Sequence, residues 1–226
     1  MPQYPMPLAR VEVVLQSIVN GRLSTLLVKR SEPPYKGRWA LPGGVIRVDL
    51  DASLDSAAAR VIAERLQISP QGLTQLLTVG GVEREPRAPS GWGLSVVYRA
   101  MVREEDLQPV AGKRVEGWAW HAVDVLPAIE DFAFDHKAIA KQAAVWTRAE
   151  FEELKLSDSL VPSQFTLGEL QLICESVLGR RLDKSSFRRK LRDRGVVTQI
   201  DGAFQSGMRN RPAGIYRITK TKTPPQ

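Results

Sequence analysis

A glycine-rich turn that leads into a helix pattern is the part of this sequence most suited to binding an anion. Gly43 and Gly44 leave backbone N–H groups uncovered, and residues 53–66 follow as an amphipathic helix pattern. A turn of this kind at a helix N-terminus favours a phosphate. The side chains expected to complete the site are three cations and one base-stacking aromatic: Arg30, Arg38, Arg47 and Trp39. The alternatives are solvated surface charges for the arginines and an ordinary core role for the tryptophan.

The turn and helix resemble the Nudix box, whose helix carboxylates hold Mg²⁺ or Mn²⁺ against a diphosphate. Alignment on Arg60 leaves Glu64 in place but puts Val61 and Arg65 at two glutamate positions. The upstream glutamate and the late glycine are also replaced, and the spacing from Gly44 to Arg60 is two residues longer than in the signature. A hard cation needs several oxygen ligands. We therefore predict no bound metal, no cofactor and no catalytic residue, with Glu64 in the effector site or in an i,i+4 salt bridge to Arg60.

A second chemistry, the binding of nucleic acid, is indicated by where the positive charge lies. The net charge is +7, of which residues 1–150 carry +1 and residues 151–226 carry +6. Much of the excess falls on one helix pattern, residues 184–194, and on one loop. The residues predicted to contact DNA are Lys184, Ser185, Ser186, Arg188, Arg189 and Arg192 on the helix and Arg209 and Arg211 in the loop. The first helical residues suit base edges, the later arginines phosphates, and the loop the backbone or minor groove.

The elements that position these residues follow from apolar spacing, turn residues and caps. Strands are predicted at residues 10–15, 24–30, 76–82, 94–102, 116–121, 196–200 and 214–218. Helices are predicted at residues 53–66, 134–146, 167–178 and 184–194. Thr166 with Glu169 forms a capping box for the third helix, and Asp183 caps the fourth. The order predicts an α+β chain: a Nudix-like α/β/α sandwich at residues 1–147, then a winged helix-turn-helix domain at residues 148–226.

The two domains together resemble the NrtR type of Nudix-related transcriptional regulators. Five stretches carry the resemblance: residues 82–87 with Arg84 and Arg87, residues 133–136 with His136, residues 165–171, residues 182–191, and residues 209–213 with Tyr216 and Arg217. The resemblance implies a homodimeric repressor of genes for NAD or related nucleotide or sugar metabolism. It implies that ADP-ribose or a similar phosphorylated metabolite binds the first domain and releases double-stranded operator DNA. Arg84, Arg87 and His136 then join the effector site, although a cap is the alternative role of His136.

Two other functions stay open at this point. The chain is either an active Nudix hydrolase with an accessory basic domain, or a constitutive DNA- or RNA-binding protein whose first domain only dimerises. No apolar run approaches the roughly 18–20 residues of a membrane span. The N-terminus lacks a signal-peptide pattern and Cys174 is a single cysteine, so we predict a cytoplasmic protein without disulfides or membrane partners.

Overall fold

A computed structural model describes residues 5–82, 84, 86, 88–205 and 212–219. Its strands are β1 (Leu8–Val19), β2 (Arg22–Arg30), β3 (Trp39–Ala40), β4 (Gly43–Val45), β5 (Thr74–Val82), β6 (Trp92–Met101), β7 (Val115–Ala122), β8 (Phe165–Thr166), β9 (Val197–Gln205) and β10 (Ala213–Ile218). Its α-helices are α1 (Leu54–Leu66), α2 (His136–Glu152), α3 (Leu167–Leu178) and α4 (Lys184–Arg194). The predicted strands and helices are all present, and the short strands β3, β4 and β8 are additional.

A mixed sheet forms the centre of the first domain. Its main order is β3-β2-β1-β6-β5, with β4 paired to β1 and β7 paired to β2. Strands β1 and β6 run parallel over nine residue pairs, and their neighbours in the sheet are antiparallel. The β1–β4 pairing places Gly43 and Gly44 opposite Glu12 and Val11. The glycine turn therefore lies against the central strand, not out in solvent.

Successive side chains of β1 point to opposite faces of the sheet, and each face is buried by one helix. Val13 and Leu15 pack in one cluster with Ala58 and Ile62 of α1. Val14 points to the opposite face and shares a cluster with the apolar side of α2. The predicted α/β/α sandwich is confirmed.

Helix α2 is longer than its sequence pattern suggested. It ends at Glu152, whereas the prediction stopped at residue 146. Ala143, Thr147 and Phe151 continue the buried side at helical spacing, so the tertiary contact extends the helix. The domain boundary predicted between residues 147 and 148 consequently falls inside this helix.

In the described part of the chain, none of the helices has both the length and the apolarity needed to cross a bilayer.

The second domain has the arrangement predicted from its caps. Thr166 and Glu169 form both hydrogen bonds of the capping box, and Gly179 ends α3 in the left-handed conformation. Asp183 accepts a hydrogen bond from the backbone N–H of Ser186 and so begins α4. A three-stranded sheet with the order β8-β10-β9 completes a winged helix-turn-helix.

Candidate functional site

A small cavity beside the glycine turn is lined by positive charge. Four arginines from four different segments meet there: Arg10 of β1, Arg30 at the end of β2, Arg65 of α1 and Arg114 next to β7. Gly43 and Gly44 form part of the wall. The structure therefore brings together three of the predicted effector residues, Arg30 and the two glycines.

Arg65 is held in the cavity wall by neutral backbone atoms. Its Nε donates to the Gly43 carbonyl at 2.9 Å, and its Nη1 donates to the Lys113 carbonyl at 2.8 Å. Burial, followed by the charge of Arg114, lowers the pKa of Arg65 from 12.5 to about 10. The direction shows that the guanidinium lacks a counter-charge strong enough to offset its burial.

Arg60 of α1 binds two carboxylates, Asp51 before the helix and Glu64 one turn further along it. The Arg60 guanidinium is bidentate to Asp51, with Nε–Oδ1 at 2.6 Å and Nη2–Oδ2 at 2.8 Å. Arg60 Nη1 also donates to Glu64 Oε1 at 3.2 Å, which confirms the i,i+4 salt bridge as the geometry of that pair. The hydrogen bond from Arg60 is the largest cause that lowers the pKa of Asp51. These carboxylates neutralise an arginine.

The residues present do not fit a divalent cation at the Nudix position. Val61 is buried and packs toward Gly44, and Arg65 occupies the second substituted position. Within the described ranges, no three His, Cys, Asp or Glu side chains are grouped as a metal ion would require. A hard cation would find one carboxylate here, already paired with Arg60, and a guanidinium beside it.

A buried charged cluster lies behind the turn, on the α2 side of the sheet. Glu12 is 1% exposed, accepts from Arg10 Nε at 3.1 Å and lies 3.5 Å from His136 Nε2. His136 Nδ1 accepts the N–H of Leu41 at 3.0 Å, so this ring fixes the chain just before the glycines. Burial alone would raise the pKa of Glu12, but His136, Arg10 and the hydrogen bond from Ser95 lower it to about 2. His136 therefore has a structural contact, and an effector contact by it stays a prediction.

Arg84, the predicted effector residue from the loop after β5, belongs to this same cluster. It is bidentate to Asp135, with Nε–Oδ2 at 2.7 Å and Nη2–Oδ1 at 3.0 Å, and donates to Ser95 Oγ at 2.6 Å. Because Asp135 is engaged with Arg84, it makes no side-chain cap for α2. The structure thus joins Arg84 and His136, which are 52 residues apart in sequence.

An aromatic pair stands beside the arginines. The rings of Tyr35 and Phe134 meet edge to face at 4.8 Å, and the Arg38 guanidinium lies 5.6 Å from the Tyr35 ring. Arg10 and Arg30 lie 5.6 and 5.2 Å from the Phe134 ring. Cation–π contact holds these cations in place without neutralising them.

The other predicted effector residues are elsewhere. Trp39 is half-buried in the core cluster against α2, edge to face with His121. Arg47 is exposed and paired with Asp49. Arg87 lies outside the described residues. Arg10 and Arg114 were missed because neither belongs to a motif, and only the sheet pairing brings them to the turn.

The predicted DNA-contacting helix presents an exposed cationic face. Phe187 and Leu191 are buried in the core of the second domain. Among the described residues, Arg188, Arg189 and Arg192 have no ion pair or side-chain hydrogen bond, and the same holds for Lys184. All four are exposed, as are Ser185 and Ser186. The predicted loop residues Arg209 and Arg211 lie outside the described residues.

Two cations of α4 contact the C-terminal end of α2. Lys190 Nζ donates to the carbonyl of Glu152, and Arg194 Nη1 donates to the carbonyl of Glu153 at 2.6 Å. These carbonyls are at the C-terminal end of α2, where a helix favours cations. Lys190 and Arg194, neither of which is among the residues predicted to contact DNA, therefore have partners on α2.

Family models match both parts of the chain. A NUDIX domain model matches residues 9–143, and an NrtR DNA-binding winged helix domain model matches residues 159–218. The ADPR responsive transcriptional repressor NtrR of Acinetobacter baylyi is 36% identical over 215 residues, which cover 95% of this chain and 83% of that protein.

Two solved structures of NrtR from Shewanella oneidensis are similar. The crystal structure complexed with a 27mer DNA has a TM-score of 0.75 and 30% identity, and the match covers 94% of both chains. The NUDIX domain complexed with ADP ribose has a TM-score of 0.58 and 30% identity, and the match covers 63% of this chain and 90% of that one.

Proposed function

This chain belongs to the NrtR family of Nudix-related transcriptional regulators, and from that premise we propose that it is an effector-controlled repressor. The Nudix-like domain binds ADP-ribose or a similar phosphorylated metabolite, and binding releases double-stranded operator DNA from the winged helix. The regulated genes belong to NAD or related nucleotide or sugar metabolism. The acting species is a homodimer in the cytoplasm.

The observation that carries the DNA-binding role is the exposed, unpartnered charge on α4. Lys184, Ser185, Ser186 and Arg188 at its N-terminal end are proposed to contact base edges. Arg189 and Arg192 are proposed to contact phosphates, and the wing arginines Arg209 and Arg211 the backbone or minor groove. Phosphates supply the counter-charge that Arg188, Arg189 and Arg192 lack within the described residues.

The effector role rests on the arginine-lined cavity and the turn beside it. Arg30, Gly43 and Gly44 line it directly, and Arg38 stands at its aromatic edge. Glu64, Arg84 and His136 stay as proposed effector residues; they are not among the residues that line the cavity. Trp39, Arg47 and Arg87 stay as proposed effector residues without a contact to the cavity in support.

We propose that the chain is no enzyme. The positions that hold metal in the Nudix signature carry Val61 and Arg65, and the remaining Glu64 is paired with Arg60.

The proposed domain boundary lies at residues 147–148, and helix α2, which spans it, joins the two domains as one continuous element. Regulation then requires that effector binds the DNA-free arrangement more tightly than the DNA-bound one.

The test is a DNA-binding titration of the full chain, using an operator selected from random duplexes, with and without ADP-ribose. We expect ADP-ribose to weaken DNA binding by roughly 5- to 150-fold. Arg188→Ala is expected to weaken specific binding by about 1–3 kcal/mol, because a base contact is lost. Arg103→Ala, which removes an exposed arginine of the first domain, is the matched control.

Two outcomes would contradict the proposal. If no nucleotide changes the affinity for DNA, the first domain is not a sensor and the chain binds nucleic acid constitutively. If ADP-ribose is turned over with Mg²⁺ and Glu64→Gln abolishes the turnover, the chain is a Nudix hydrolase.

A further inference from the structure

Arg65 is held in the cavity beside the glycine turn without an acidic partner among the described residues. Arg10 is paired with Glu12, and Arg114 has an ion pair with Glu32 at 3.0 Å. Arg65 donates to the carbonyls of Gly43 and Lys113, neither of which bears a charge. A buried guanidinium with neutral acceptors favours an anionic ligand.

We propose that Arg65 takes the place of the divalent cation and binds the diphosphate of the effector directly, so that effector binding needs no metal. The inference rests on the proposed function, because it assigns the diphosphate-binding group of that same site. It also names the chemical class of the ligand that the cavity selects, a diphosphate ester.

The position of Arg65 supports this role. Its two backbone contacts fix the guanidinium against Gly43, and its Nη2 makes no hydrogen bond to any residue that the structure describes. A Cβ placed on Gly44 would lie 3.6 Å from this Nη2 and 2.8 Å from Val61 Cγ2. The guanidinium therefore reaches the cavity wall where Gly44 carries no side chain that would cover it.

A planar guanidinium is a suitable substitute for a metal ion against a diphosphate. It stays protonated at neutral pH and donates two parallel hydrogen bonds to phosphate oxygens. Buried carboxylates beside such a ligand would repel it unless a cation came with it. The replacements at Val61 and Arg65 remove that repulsion and supply the charge, which makes the metal unnecessary.

The cavity has to widen to admit a diphosphate. Its volume of about 30 Å³ holds about one water molecule. Arg114 is the side chain best able to move, since it is 47% exposed and its partner Glu32 is 52% exposed. An exposed pair of this kind contributes little to stability, so its opening costs little.

The test is isothermal titration calorimetry of the full chain with ADP-ribose and with inorganic pyrophosphate, each in EDTA and in Mg²⁺. We expect the wild type to bind both ligands in EDTA as tightly as in Mg²⁺. Arg65→Gln should weaken both by roughly ten- to hundredfold in EDTA, because a charge-assisted hydrogen bond is lost. The affinity of Arg65→Lys should lie between those of the wild type and Arg65→Gln, because lysine keeps the positive charge but cannot donate two parallel hydrogen bonds. Arg103→Gln is the control, and melting curves verify folding.

Val61→Glu with Arg65→Glu restores the acidic face and should make the binding of ADP-ribose dependent on Mg²⁺. The inference is overturned if the wild type binds ADP-ribose only with Mg²⁺, or if Arg65→Gln binds like the wild type; either result leaves the repressor function intact. If pyrophosphate binds in EDTA through Arg65 and ADP-ribose does not bind, the proposed effector is wrong and the role of Arg65 stands. If neither ligand binds, both the proposed effector and the proposed role of Arg65 are wrong.

Discussion

Individual charged side chains at the glycine turn are fixed by what they touch behind the cavity. Arg10 leans on Glu12, Glu12 lies against His136, and His136 accepts the N–H of Leu41. The last two contacts cross from one element to another, so the loss of either would displace the turn. The buried carboxylate of Glu12 is the centre of this arrangement.

The substitution Glu12→Gln is expected to remove the contribution that the charge of Glu12 makes to the free energy of unfolding. The folded pKa of Glu12, about 2, lies below its ordinary value of 4.5. The stabilisation is therefore complete above about pH 4.5 and is lost as the pH falls toward about 2. Over that interval the difference in unfolding free energy between wild type and Glu12→Gln should shrink by on the order of 3 kcal/mol.

Denaturant unfolding at a series of pH values measures this difference. Glu105→Gln, on an exposed side chain, is the control and should show no such trend. A difference for Glu12→Gln that does not vary with pH would show that the carboxylate contributes no ionic stabilisation.

At the scale of elements, the C-terminal end of α1 depends on a loop that precedes β7. The N–H groups of Val110, Gly112 and Lys113 donate to the carbonyls of Leu66, Arg65 and Glu64. These are carbonyls that a helix end leaves unsatisfied. The loop also supplies the Lys113 carbonyl that holds Arg65, so it connects the stability of the helix to the site.

Gly112→Ala should destabilise the chain because the loop passes too close to the helix for a side chain. A Cβ at this position would lie 2.3 Å from the Glu64 carbonyl oxygen. We expect a cost of about 1–3 kcal/mol from overpacking, and a melting temperature lower by several degrees. Gly117→Ala is the matched control, since a Cβ there meets nothing within 4 Å. Equal melting temperatures for the two variants would show that the loop packs differently.

The two helices of the second domain were predicted closely from sequence, whereas β8 was not predicted and β9 is five residues longer at its end than predicted. The bounds of α3 and α4 agree with the pattern, because caps and glycine stops are local signals. The end of α2 was not predictable in that way, since its last turn is stabilised by burial of Phe151 and by contacts from α4.

At the scale of the whole molecule, α2 spans the distance between the two sites. Asp135, just before its first residue, binds Arg84 in the cluster behind the effector cavity. The carbonyls at its other end accept hydrogen bonds from Lys190 and Arg194 of α4, the helix proposed to contact DNA. A shift of α2 would therefore change the contacts with Arg84 at one end and with Lys190 and Arg194 at the other.

Removing both cations, Lys190→Ala with Arg194→Ala, should weaken the coupling between the sites. We expect the affinity for ADP-ribose to stay unchanged while the effect of ADP-ribose on DNA affinity becomes smaller. DNA titrations with and without the nucleotide give this ratio. Arg192→Ala is the control: it should lower DNA affinity and leave the ratio unchanged. A full wild-type ratio in the double variant would show that the coupling takes another route.

The sequence by itself determined the order of the elements, the Nudix-like turn with its altered helix face, and the basic helix of the winged domain. Those features depend on spacing and on caps between near neighbours in the chain. Only the tertiary structure decided that Arg10, Arg65 and Arg114 share one cavity with Arg30, that Arg84 joins His136, and that Trp39 packs in the core. Such groupings depend on strand register and helix packing between residues far apart in sequence, which no local pattern encodes.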